Sequence, residues 1–204
     1  MKKTVLLWLV SLISAVCFAQ NTTEHLSFMG IPIDGSINQF ESKLMSKGCS
    51  KDDLEYSSSR GCRTYDGTFA GNEVSICVFY NERTNLVYRV KAIINRITEE
   101  RADQKYQEIK DMLIQKYGQT GSGETDHENK KAFYLILPCS DFLDKYKPYS
   151  DTNNSLAKCG YKGEIDVFIS KNDDSKSTFC YYVHIDYNDA INKDKHQEQN
   201  LEDL

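Results

Sequence analysis

Two neighbouring segments with a repeat of two residues constrain the fold of this chain most. Over residues 74–80, and again over 86–94, apolar side chains recur at every second position. This repeat is typical of a β-strand with one buried face. The polar segment 81–85 between them has the composition of a hairpin loop. The sequence therefore predicts an antiparallel hairpin with one face toward the core.

Two amphipathic helices flank this hairpin. The first begins at Ser36, which with Gln39 forms a capping box, and it ends near Gly48. The second begins at Thr98 and ends at Gly118. Apolar residues at helical spacing mark the predicted buried faces. These are Ile37, Phe40 and Leu44 in the first helix, and Ala102, Tyr106, Ile109, Leu113 and Tyr117 in the second.

The order of elements predicts the fold class. Further strands are predicted over 63–69, 132–137, 164–170 and 178–187, so a helix followed by about three strands occurs twice. We predict one α+β domain over residues 20–189, a mostly antiparallel sheet with two helices packed on one face. Its two halves would be 26–97 and 98–189. Residues 190–204 are polar and are predicted to form a flexible tail.

The first nineteen residues have the pattern of a cleaved signal peptide. Met1-Lys2-Lys3 precedes an apolar run over 5–16, and Ala19 provides a small residue for cleavage. The run is too short to span a membrane, and no other segment is predicted to do so. We expect a periplasmic or secreted protein. A lipid anchor on Cys17 is less favoured, because the preceding residues lack the usual lipoprotein pattern.

Net charge bears on the class of partner. The chain carries a formal charge of −5, which becomes −7 once Lys2 and Lys3 are removed. A mildly acidic protein of this kind is not expected to bind nucleic acid. The oligomeric state is left open by the sequence.

Six cysteines remain after cleavage, and an even number in an exported chain predicts disulfides. No Cys-x-x-Cys spacing is present. From the flanking of two polar segments and from a shared sheet face, we predict the bridges Cys49–Cys62, Cys139–Cys159 and Cys77–Cys180. Fifteen pairings of six cysteines exist, and buried thiols at Cys77 and Cys180 are the open alternative.

No group of residues forms a recognisable catalytic site. Cys180 and His184 share a strand face with Asp186, but four residues along a strand span about 13 Å. Asp126-His127-Glu128 are adjacent and cannot all point at one ion. Phosphate-binding glycine loops and nucleophile elbows are absent from the sequence. We therefore predict no catalytic, cofactor-binding or metal-binding residues, and no cofactor.

A binding surface is the remaining prediction. Six side chains project from the sheet face opposite the inferred core: Phe79, Arg89, Lys91, Phe168, Tyr182 and His184. Aromatic residues and arginine are enriched where proteins bind partners. The sequence favours a non-enzymatic module that binds a protein or another envelope ligand through this face or through the Pro138–Gly163 loop. Two alternatives stay open: the loop covers this face as a minor core, or the protein is an envelope hydrolase using carboxylates or a free cysteine.

Substitutions at this patch carry their own expectation. Alanine at Tyr182 and Arg89 is expected to abolish partner capture and to leave stability nearly unchanged.

The chain also resembles known groups of proteins. The segment Phe28-Met29-Gly30-Ile31-Pro32-Ile33-Asp34-Gly35, with Phe40 and Leu44, is similar to a pattern in small exported proteins of Bacteroidetes that have no assigned activity. Val87-Tyr88-Arg89-Val90 and Lys116-Tyr117-Gly118 extend the likeness. The resemblance implies a Gram-negative periplasmic or secreted setting and supplies no active-site residues. The repeated helix and strands also resemble the topology of β-lactamase-inhibitor-like domains, a likeness of fold that does not give function.

Overall fold

The computed structural model of the chain describes residues 25–51, 61–119, 121–127, 130–138, 160–172 and 178–201. Three predictions concern residues outside these ranges: the signal peptide over 1–19, the Cys139–Cys159 bridge, and most of the Pro138–Gly163 loop. Within the described ranges, no helix has the length and apolar character needed to cross a membrane.

The described residues form three helices and ten strands. The helices are α1 (Ile37–Ser46), α2 (Glu99–Tyr117) and α3 (Ala190–Leu201). The strands are β1 (Ser27–Phe28), β2 (Ile31–Pro32), β3 (Ser50–Lys51), β4 (Cys62–Phe69), β5 (Asn72–Tyr80), β6 (Val87–Ile97), β7 (Ser122–His127), β8 (Lys130–Pro138), β9 (Tyr161–Lys171) and β10 (Tyr181–Asp189).

One eight-stranded sheet organises the fold, and its order is β3-β4-β5-β6-β10-β9-β8-β7. Every neighbouring pair is antiparallel. Along the chain, α1 precedes the consecutive strands β3–β6, and α2 precedes β7–β10. The last strands of the two runs, β6 and β10, pair at the centre of the sheet. The predicted α+β class with a mostly antiparallel sheet is confirmed.

One apolar core contains residues of the helices α1 and α2 and of the sheet. Fully buried Phe40 of α1 and Tyr106 of α2 join Ile76, Ala92 and Ile185 of the sheet in one apolar cluster. The predicted capping box is present, since the backbone N–H of Gln39 donates to Ser36 Oγ and Gln39 Oε1 accepts from the backbone N–H of Ser36. The second predicted cap is also present, because the backbone N–H of Arg101 donates to Thr98 Oγ1.

The structure corrects two element predictions. Residues 190–201, predicted as part of a flexible tail, form α3, in which Asn192 is only 1% exposed. Its side-chain amide donates to the backbone carbonyls of Ile33 and Val87, which fastens the helix to the domain. Residues 122–127, for which no strand was predicted, form the edge strand β7. The count of three helices therefore replaces the predicted two.

The cysteine predictions also need correction. Cys49, Cys62, Cys77 and Cys180 are thiols in this structure. Cys49 lies against Gly67 on the core face, where a Cβ at Gly67 would come within 2.7 Å of its sulfur. Cys62 lies on the opposite face of β4, because it is five positions from Gly67 and successive side chains of a strand point to opposite faces. The Cys49–Cys62 bridge is therefore absent for a geometric reason.

The Cys77–Cys180 bridge is absent because the sheet register separates the two residues. Cys77 aligns with Lys91, and Lys91 aligns with Asp186 of β10. Cys180 precedes Asp186 by six residues, which is about 20 Å along a strand. A shared face was a necessary condition for this bridge but not a sufficient one.

Candidate functional site

The register of the central strands builds a row of chemically distinctive side chains on the face away from α1 and α2. Cys77, Lys91, Asp186, Asp166 and Tyr134 align in succession across β5, β6, β10, β9 and β8. Residues aligned on neighbouring strands have Cβ atoms about 5 Å apart. These side chains therefore meet although they come from segments distant in sequence. We call this surface, together with the six residues of the predicted patch, the polar sheet face.

All six residues of the predicted patch lie on this face, and ring contacts connect them. The guanidinium of Arg89 lies 4.8 Å from the ring centroid of Phe79, and the Lys91 ammonium lies 5.6 Å from that of Phe168. Phe168 stacks on His184 at a centroid distance of 4.6 Å. Tyr182 lies 6.4 Å from His184 in a tilted arrangement. None of the six belongs to the apolar core cluster.

Asp186 is the electrostatic centre of the face. Its side chain is only 4% exposed, and both of its carboxylate oxygens accept hydrogen bonds from Arg89. Arg89 Nε donates to Oδ1 at 2.8 Å, and Arg89 Nη2 donates to Oδ2. Lys91 Nζ lies 3.4 Å from Oδ2. The hydrogen bond to Asp186 raises the pKa of Arg89. This geometry corrects the expectation that alanine at Arg89 leaves stability nearly unchanged, because it would strip a nearly buried carboxylate of its main donor.

His184 is held in its neutral form. Burial, with a further contribution from nearby Lys91, lowers its pKa to about 4. Its Nε2 lies 2.6 Å from the Ser170 hydroxyl. Within the described ranges, the buried Nδ1 has no hydrogen-bond partner. With Nε2 bonded to Ser170 and Nδ1 buried, this neutral imidazole would contact a ligand through its ring rather than through a charge.

Asp166 and Glu164 lie beside this centre with little to balance their charge. Burial raises the pKa of Asp166 to about 7, and the neighbouring carboxylates of Glu164 and Asp186 add to the effect. Burial also raises the pKa of Glu164, while Lys193 of α3 opposes that rise. The Asn188 amide donates to Asp166 at 3.4 Å. Asp166 therefore titrates near neutral pH. Groups with strongly shifted pKa values concentrate at functional sites.

The raised pKa of Asp166 makes folding stability depend on pH, and this gives a testable prediction. Because folding raises the pKa of Asp166 from 3.8 to about 7, the folded state loses stability as pH rises through this interval. Asp166→Asn should remove the loss, so its stability relative to wild type should increase by roughly 3–4 kcal/mol between pH 4 and pH 8. Urea unfolding at pH 4, 6 and 8 measures this.

The exposed Asp111 provides the matched control for that measurement. Asp111→Asn should change stability by less than about 0.5 kcal/mol. A pH-independent difference between Asp166→Asn and wild type would contradict the raised pKa of Asp166.

Among the described residues, no group of three or more His, Cys, Asp and Glu side chains is arranged to hold a metal ion. Asp186 already accepts hydrogen bonds from Arg89, and Asp166 receives one from Asn188. The carboxylates of this face are therefore better suited to proton exchange and to hydrogen bonding than to ion coordination.

Sequence reasoning missed Glu164 and Asp166 as members of the site. A usable signal was present, because both alternate with the buried Ile165 and Val167 of β9. That alternation places them on the same face as Phe168. Their approach to Asp186 depends on the pairing of β9 with β10, which the alternation does not specify.

Comparisons with known proteins add no assignment. Searches of protein-family models, of curated proteins and of solved structures each found no match to this chain.

Proposed function

We propose that this chain is an exported, non-enzymatic binding module, and that the polar sheet face is its binding site. The proposed ligand is a protein of the cell envelope or of the secreted fraction. The observation that carries the proposal is the position of the six patch residues, which contact one another on one face and stay outside the apolar core. Export is proposed from the signal-peptide pattern of residues 1–19.

The chemistry of the face supports recognition of a partner. Tyr182 carries a hydroxyl on an aromatic ring, a combination that contributes large contact area and hydrogen bonding at little cost in conformational entropy. Arg89 and Lys91 keep side-chain exposures of 31% and 18% while they are anchored by Asp186. Side chains fixed in this way lose little freedom when a partner docks.

Photo-crosslinking from position 182 tests the proposal. The photoreactive residue benzoylphenylalanine replaces Tyr182 in the full chain, expressed in the cells that export it. The expected result is one discrete protein adduct. The matched control places the same group at Met112, which is 41% exposed on α2 and lies away from the site. The mass of the recovered chain should show that it begins at Gln20.

Two outcomes decide the test. An adduct from position 182 that is absent from position 112 supports binding through the polar sheet face. Equal labelling from both positions, or none from position 182, contradicts it. The Tyr182→Ala variant should compete less well for the same partner than wild type does, by about tenfold if Tyr182 is a central contact. Its stability should stay close to that of wild type, because Tyr182 lies outside the apolar core.

A second candidate function follows from the carboxylates. Asp166, with a pKa of about 7, aligns directly with Asp186 across two paired strands. Hydrolases use such pairs, in which one carboxyl group supplies a proton and the other acts as base or nucleophile. Hydrolysis of nitrophenyl glycosides or esters by the wild-type protein, lost in Asp166→Asn and retained in Asp111→Asn, would replace the binding module with this envelope hydrolase.

A further inference from the structure

We propose that Cys62 and Cys77 form a thiol–disulfide exchange site that reacts with small disulfides and closes into a reversible bridge between β4 and β5. Cys77 belongs to the polar sheet face, but this reaction does not depend on the binding proposed for that face. The observation behind it is that Cys62 and Cys77 lie on the paired strands β4 and β5, on the same face of the sheet.

The register brings the two thiols together. Cys77 aligns with Thr64, and Cys62 aligns with Phe79, so the two cysteines are diagonal neighbours on adjacent strands. Both lie on the face away from the core, since each is an odd number of residues from a core residue of its strand, Tyr65 or Ile76. The Cys62 thiol donates to the backbone carbonyl of Arg63 at 3.9 Å, and it is close enough to the Cys77 sulfur to act on the pKa of that thiol.

The surroundings of the two sulfurs give Cys77 and Cys62 different roles in the reaction. Cys77 is partly exposed, whereas Cys62 is 8% exposed. The neighbouring Cys62 thiol, helped by the positive charges of Lys91 and Arg89, lowers the pKa of Cys77 against the opposing effect of burial. Burial alone raises the pKa of Cys49. A partly exposed thiol with a lowered pKa is the one that attacks, and Cys62 beside it is placed to resolve.

The reaction is a two-step exchange with a disulfide such as glutathione disulfide. In the first step the Cys77 thiolate attacks one sulfur of the glutathione disulfide, a bond forms between them, and one glutathione thiolate leaves. In the second step Cys62 loses its proton and attacks the Cys77 sulfur, which releases the second glutathione. Two protein thiols are oxidised to one disulfide, and one glutathione disulfide is reduced to two thiols.

The bridge is expected to be readily reversible. Diagonal neighbours on adjacent strands have Cα atoms about 7–8 Å apart, somewhat beyond the separation of about 7 Å that a relaxed disulfide spans. Closure therefore requires a small backbone movement, and a bridge formed in this way is more easily reduced than a relaxed one. Because Cys77 aligns with Lys91, oxidation of Cys77 would also affect the ion pair between Lys91 and Asp186.

The test treats the reduced full chain with glutathione disulfide, blocks the remaining thiols by alkylation, and maps the peptides by mass spectrometry. Wild type should yield a Cys62–Cys77 linked peptide whose mass is two hydrogens below the sum of the two reduced peptides. Cys180→Ser and Cys49→Ser, which leave the pair intact, should yield the same peptide. Cys62→Ser should accumulate glutathione on Cys77 to a level about tenfold above wild type, because no neighbouring thiol resolves the adduct.

Three results would overturn the proposal. They are stable glutathione on Cys77 of the wild-type protein, alkylation of both Cys62 and Cys77 after the oxidising treatment, and a bridge from either residue to another cysteine. The wild-type peptide map decides between these results and the expected one without depending on the folding of any variant.

Discussion

Replacing Asp189 with alanine is expected to lower the free energy of unfolding by about 3 kcal/mol. The Asp189 side chain is fully buried, and its carboxylate joins three parts of the chain. It accepts from the backbone N–H of Leu26 at 2.8 Å and from that of Asn192 at 2.9 Å, and it lies 3.0 Å from His25 Nδ1. Alanine would leave two buried N–H groups without acceptors and would remove the N-terminal cap of α3.

Urea unfolding at pH 7 measures this loss. The control is Asp111→Ala on the exposed face of α2, which should change stability by less than about 0.5 kcal/mol. Similar small losses for both variants would show that the Asp189 network contributes little.

The same network makes stability depend on pH. The hydrogen bond to Asp189 raises the pKa of His25 above 6.5. Folding therefore favours protonated His25, so its contribution is complete below about pH 6.5 and is lost as pH rises through the raised pKa. The Asp189→Ala variant should lack this dependence, and the stability gap between wild type and variant should narrow from pH 5.5 to pH 8.5.

Local signals explain which parts of the fold could be predicted from the sequence. The ends of α1 and α2 are set by Ser36 and Thr98, whose side chains bond to the backbone three residues away. The strands β5 and β6 alternate regularly because one face packs on the core. In each case the information lies within a few consecutive residues.

The elements that were missed depend on distant contacts. β7 has the sequence Ser-Gly-Glu-Thr-Asp-His, without a large apolar residue, and it is a strand because β8 supplies its hydrogen bonds. α3 is polar along most of its length, and it is held by Asp189 and Asn192 through residues more than a hundred positions away. No short-range pattern contains either interaction.

The candidate site shows the same division. Alternation along single strands placed the six patch residues on one face, and they do meet there. Strand order and register decided the rest. They place Asp186 between Lys91 and Asp166, they bring Cys62 to Cys77, and they keep Cys77 away from Cys180. Sequence spacing alone could not distinguish these cysteine pairings.

Arg89→Ala is expected to destabilise the protein by about 2–3 kcal/mol, which is less than for a fully buried ion pair because the Arg89 side chain is 31% exposed. The variant leaves the nearly buried Asp186 carboxylate with Lys91 as its remaining cationic neighbour. Arg89→Lys should cost less than alanine but should not restore full stability, since an ammonium cannot reproduce the two hydrogen bonds of the guanidinium.

A double-mutant cycle isolates this ion pair from the loss of side-chain packing. Arg89→Ala, Asp186→Ala and the double variant are compared with wild type by urea unfolding at pH 7. We expect a coupling energy of about 2 kcal/mol, because once either partner is gone the second substitution removes a group that has already lost its main partner. Additive losses, with a coupling below about 0.5 kcal/mol, would contradict the structural role given to this pair. The face would then owe its geometry to the aromatic contacts of Phe79 and Phe168, and Arg89 would be available to the ligand as a free cation.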